Sequence, residues 1–92
     1  MSRIYLDDAG SAPILPEVEA ALRGMPGGNP SSPHTEGRAA RGALDRARDV
    51  AAEAIGATRL EVTFVSSGTE AVNLALFGTK GRLVTWAAEH QP

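Results

Sequence analysis

Residues 65–78 read VSSGTEAVNLALFG, and how this stretch is parsed decides the fold. EVTFV (61–65) ahead of it is β-branched and aromatic, the composition of a strand. GTEAVNLALF (68–77) has helix composition, and RLVTW (82–86) is a second strand candidate. Strand, helix and strand at this spacing form a βαβ unit, because parallel strands need a crossover between them. The expected fold is therefore α/β with a parallel sheet.

The turn itself, Ser66-Ser67-Gly68-Thr69, sits where a strand hands over to a helix. The first amides of a helix have no intrahelical acceptor, and the helix dipole favours an anion beside them. Glycine admits a ligand to the backbone and a hydroxyl adds a donor, so Gly68 and Thr69 can cradle a phosphate. The same residues also allow a ligand-free reading: Ser67-x-x-Glu70 is a capping box, which satisfies those donors internally. No Gly-Lys-Ser/Thr follows and no GxGxxG is present, which excludes a Walker A loop and a dinucleotide fingerprint. His90 lies just past the second strand candidate, on the side of the sheet where the turn is expected. Its imidazole can stack on a flat ring, act as acid or base, or be idle. His34 reads as a turn or cap residue, and Asp7-Asp8 point to opposite faces of a strand rather than to one metal.

Outward from the turn, residues 33–55 predict a long helix, with Ser32 as cap, Pro33 first and Gly56 at the left-handed terminus. Ala40, Leu44, Ala47, Ala51 and Ile55 make one narrow apolar stripe, so this helix is amphipathic. Gly37 and Gly42 each cost roughly 1 kcal/mol in a helix interior, which points to close packing. MPGGNPSSPH (25–34) is turn chemistry, PEVEAALRG (16–24) a short helix opened by Pro16 and closed by Gly24, and RIYL (3–6) a short strand.

With 92 residues the chain is one domain or part of one. Its aromatics are only Tyr5, Phe64, Phe77 and Trp86, a small set of core anchors. A formal net charge of -2 argues against nucleic acid or an anionic membrane as partner. The absence of cysteine excludes disulfides and cysteine-based metal sites. No run approaches the ~20 apolar residues of a membrane span and no signal-peptide core opens the chain, so a cytoplasmic protein is expected.

Four blocks, YLDDAGSAPILPEV, GNPSSPHTEGRAAR, VSSGTEAVNLAL and AAEH, occur in the order and spacing of the cysteine desulfurases. The chain thus resembles the N-terminal segment of these class V aminotransferase-like enzymes, which use pyridoxal 5'-phosphate (PLP). The resemblance implies the first part of the fold type I large domain of PLP-dependent transferases. Residues 1–32 would be an N-terminal arm and active-site loop, and residues 33–92 the start of the PLP-binding large domain. It implies that Gly68 and Thr69 hold the cofactor phosphate and that His90 stacks on its ring, with no catalytic residue and no metal ligand assigned. Asn29 and His34 would lie on the active-site approach or the dimer side.

The implied reaction takes sulfur from L-cysteine, leaving alanine and a persulfide for a sulfur-acceptor protein and iron–sulfur cluster assembly. A homodimer, or a complementing C-terminal chain, is the implied assembly.

The sequence departs from the family pattern in places. Asp8-Ala9-Gly10-Ser11-Ala12 stands where the family has Asn-Ala-Ala-Thr-Thr, and Ser67 replaces a glycine. The amine that captures the PLP aldehyde and the cysteine nucleophile are missing, since the single lysine, Lys80, lies in the GTKG turn at the wrong end of the βαβ unit. The chain therefore reads as the front quarter of an enzyme, inactive alone. Two alternatives remain: another class V enzyme, such as a selenocysteine lyase or an aminotransferase, and a non-catalytic interaction module that uses the long helix.

Overall fold

A computed structural model describes residues 2–89. In chain order it contains helices α1 (Pro16–Arg23), α2 (Thr35–Ile55) and α3 (Gly68–Gly78), with one 3-10 turn at Arg59–Glu61. The chain divides into two units, Met1–Ala47 and Arg48–Pro92, and the division falls within α2.

In the first unit, Pro16 opens α1, where its missing N–H removes no helical bond, and Glu17 and Glu19 face the positive end of the dipole. Gly24 caps α1 at φ -84°, donating its amide to the Ala20 carbonyl at 3.2 Å. Ahead of α1, the Tyr5 hydroxyl donates to the Ser11 carbonyl at 2.6 Å and closes the Asp7–Ser11 turn over itself.

The Pro/Ser loop is organised by Asn29. Its side-chain oxygen accepts the Ser31 amide at 2.9 Å and its carbonyl accepts the Ser32 amide at 2.9 Å. The loop then lies directly on the first turn of α2. A Cβ on Gly37 would stand 2.1 Å from the Ser32 carbonyl oxygen, and one on Gly28 (φ +136°) would stand 2.9 Å from the Glu36 carbonyl. Gly37 is buried, and its cost to helix propensity is offset by this approach of two backbones.

That geometry also moves the start of α2. The expected cap, Ser32, is committed to the Asn29 turn, and helix begins at Thr35 rather than Pro33. His34 takes the capping place: its carbonyl accepts the Arg38 amide at 2.9 Å and its Nδ1 accepts the Gly37 amide at 3.2 Å. The reading of His34 as a cap residue therefore holds, and it displaces the serine.

In the second unit, α2 ends as expected at Gly56, which adopts φ +69°. The Ala57 amide reaches the Ala52 carbonyl at 2.8 Å and the Gly56 amide reaches Glu53 at 3.2 Å, the paired bonds of a Schellman motif. The apolar stripe is only partly as expected. Ala40 and Ala52 are the buried apolar side chains among the described residues, whereas Ile55 is exposed at the helix end.

The segment after α2 is tied back to it by charge. Arg59 forks onto Asp49 with bonds of 2.7 and 2.5 Å, and the Arg48 guanidinium lies 5.7 Å from the centre of the Phe64 ring. The Arg59 guanidinium holds the Asp49 carboxyl below its ordinary range.

The strands expected at 3–6, 61–65 and 82–86 do not form, so the βαβ unit is absent from the described residues. Glu61 belongs instead to the 3-10 turn, where its carboxylate accepts both the amide and the hydroxyl of Thr58. The remaining residues of those segments carry no ladder. The cause is that a strand is completed by its neighbours. Two lone strands make a ribbon of marginal stability, and here Val84 and Trp86 are 83% and 70% exposed, with no layer against them. Helix α3 shows the same lack: beyond Thr69, Glu70 and Asn73 it is apolar, yet no residue of it is buried.

These contacts predict opposite outcomes for two glycines in one helix. Gly42→Ala, whose Cβ would meet only the flexible Arg46 guanidinium at 3.3 Å, raises the thermal midpoint by the propensity gain of about 1 kcal/mol. Gly37→Ala lowers it, because the Ser32 backbone must be pushed off the helix. Circular dichroism melts of the two variants check this.

Candidate functional site

The chain bends at Ser66 and enters α3 through Ser67. Ser67 is the N-cap, with φ -164° and ψ 165°, and its hydroxyl accepts the Glu70 amide at 3.2 Å. Extended backbone of this kind suits any residue, so serine replaces the family's glycine here without strain.

The capping box is displaced by one residue from the expected arrangement. The Glu70 carboxylate does not return to the Ser67 amide; it accepts the Ser66 amide at 2.8 Å and also the Ser66 hydroxyl. Those donors, the hydroxyl first and the amide second, hold the Glu70 carboxyl below its ordinary value of 4.5. This clamp was not legible in the Ser67-x-x-Glu70 spacing, although the second serine was its available signal. Asn73 adds a further brace, donating from its side-chain amide to the Thr69 carbonyl at 2.8 Å.

Gly68 and Thr69 are therefore the first two residues of an 11-residue helix, both exposed. Among the described residues no acceptor serves their amides, and the Thr69 hydroxyl makes no hydrogen bond. A Cβ built on Gly68 would meet nothing within 4 Å. Neither backbone strain nor packing within the described chain thus requires glycine at that position.

Of the three residues expected to meet the cofactor, Gly68 and Thr69 are chain neighbours in the first turn of α3, and His90 lies outside the described residues. Lys80 follows the far end of α3, and eleven helical residues rise about 16 Å, which removes its amine from the turn. A hollow of about 180 Å³ lined by Leu76, Thr79, Arg82 and Leu83 lies at that same far end and takes no part in the turn. Among the described residues no helix is long and apolar enough to cross a membrane.

The aminotransferase class-V family model matches residues 4–91. The chain belongs to that family.

A Bacillus subtilis protein named as a candidate cysteine desulfurase is 48% identical over 82 residues, covering 86% of this chain and 22% of its own length. The cysteine desulfurase of Dictyoglomus turgidum is 41% identical, covering 95% of this chain and 25% of that protein. The human selenocysteine lyase is 38% identical, covering 80% and 17% respectively. The chain thus spans about a quarter of the length of the desulfurases it matches. No solved structure matches it significantly.

The clamp has a measurable signature. A carboxyl whose folded value is lowered contributes stability that is complete above its ordinary value, here 4.5, and lost as pH falls through the lower folded one. Ser66→Ala removes the larger cause, so the Glu70 carboxyl then titrates at higher pH. Carbon-detected NMR titration of Glu70 in both proteins checks the direction.

Proposed function

We propose that this chain supplies the phosphate-holding turn of a PLP-dependent cysteine desulfurase. The observation that carries the reading is that, among the described residues, the amides of Gly68 and Thr69 and the Thr69 hydroxyl have no hydrogen-bond partner at the dipole-positive end of α3. The open space around Gly68 suits the approach of a phosphate oxygen to the backbone. Bound PLP supplies an electron sink for bond cleavage beside an amino-acid Cα. The residues of this chain bind and orient: Gly68 and Thr69 fix the phosphate, and His90 stacks on the ring.

In this reading α3 is the helix of a βαβ unit, with residues 61–65 and 82–86 completed as strands in the fold type I sheet by polypeptide beyond these 92 residues. Residues 1–32 form the arm toward the active site, and residues 33–92 begin the large domain. The amine that takes the PLP aldehyde and the thiol that takes sulfur come from that further polypeptide too, since this sequence holds no cysteine and its lysine is remote. The substrate is L-cysteine, the product sulfur passes to an acceptor protein for iron–sulfur cluster assembly, and the enzyme is a cytoplasmic homodimer. The similarity to selenocysteine lyase gives a second substrate, L-selenocysteine, on the same turn.

A hydrogen bond to a charged group is worth roughly 1.5–3 kcal/mol, so Thr69→Val weakens PLP binding by about tenfold or more. Fluorescence titration of the PLP-free protein with PLP measures this, and an unchanged affinity removes the Thr69 hydroxyl from the phosphate site. Alanine release from L-cysteine against L-selenocysteine, measured on the completed enzyme, separates the two substrates.

A further inference from the structure

We infer that Glu70 is a positioning residue that keeps the phosphate-binding amides open. The inference rests on the reading of Gly68 and Thr69 as the phosphate site. An acidic residue in the first turn of a helix is the natural internal competitor for an incoming anion, because it returns to the N-cap amide beside the open donors and interacts with the same dipole. Here that competitor is held elsewhere. The Glu70 carboxylate is bound by the Ser66 amide at 2.8 Å and by the Ser66 hydroxyl, both on the same oxygen, Oε2. The Glu70 amide is in turn taken by the Ser67 hydroxyl at 3.2 Å.

These two links interlock across the turn. The carboxylate binds ahead of the cap, the cap binds the glutamate amide, and the amides of Ser67, Gly68 and Thr69 are left between them without an acceptor among the described residues. Asn73 holds the Thr69 carbonyl from the helix side, so the peptide that follows the donor pair is fixed as well. The charge that would otherwise oppose a phosphate is thus used to hold the site in shape. Ser66 is a functional member of the site by this argument, as the partner that occupies Glu70.

The test compares PLP with pyridoxal, which lacks the phosphate, in the PLP-free protein. Glu70→Ala removes a negative charge beside an anion, and simple electrostatics would tighten PLP binding. The positioning role predicts the reverse: PLP affinity falls by about threefold to tenfold, the loss expected for an exposed charge-assisted pair, while pyridoxal affinity is unchanged. A merely structural role would weaken both ligands together. Ser66→Ala removes the hydroxyl but keeps the backbone amide, so it produces a smaller loss of the same selective kind, and the double variant is no worse than Glu70→Ala alone. Glu70→Gln, which keeps an accepting oxygen, restores most of the PLP preference.

Tighter or unchanged PLP binding in Glu70→Ala and Ser66→Ala overturns the inference, and so do additive losses in the double variant. Thr69→Val separates the two failures. If it lowers PLP affinity while the Glu70 and Ser66 variants do not, only the positioning role fails. If no variant changes affinity and PLP binds no more tightly than pyridoxal, so that the phosphate adds nothing, the phosphate reading itself fails.

Discussion

A helix cannot satisfy its own first amides, and at α3 those of Gly68 and Thr69 have no acceptor among the described residues. Most helix starts close this gap with side chains. Here the serine cap takes the Glu70 amide and the glutamate is drawn back to Ser66, so the closure stops one step short of Gly68 and Thr69. The open donors follow from that incomplete closure, and the helix dipole lies behind them.

A second constraint shapes the other unit. The Asn29 turn lays the Ser32 carbonyl against the place where any side chain at position 37 would begin. Backbone contact of this kind needs glycine, and it decides where α2 can start and which residue caps it. Together with the Asp49–Arg59 fork, which draws the segment after α2 back onto its last turns, it accounts for order in a chain with very few buried side chains. The exposed apolar residues of α3 and of the 82–86 segment are the matching debit: they have the composition of a core without a second layer.

How much of this was legible in the sequence depended on how local each cause was. Pro16, Gly56 and Ser67 act through their own backbone neighbours, and the helix ends they predict are found at α1, α2 and α3. The family was legible from four blocks, each set by short-range spacing. Strand formation was not, because Val62 to Val65 and Leu83 to Trp86 have strand composition but need partner backbones to become strands. The start of α2 was misplaced because the claim of Asn29 on Ser32 is invisible to a rule that looks only at capping propensity. The Glu70 clamp was missed by a single residue for the same reason: spacing names the acceptor but does not choose between two adjacent serines.

The most direct test of the open-amide account is a ¹⁵N–¹H spectrum of the protein titrated with inorganic phosphate and then with PLP. The account predicts that the Gly68 and Thr69 amide protons move downfield first and furthest, as they gain a charged acceptor. If those two signals stay still while PLP binds, with the shifts confined to other residues, the phosphate is held elsewhere and the account is contradicted.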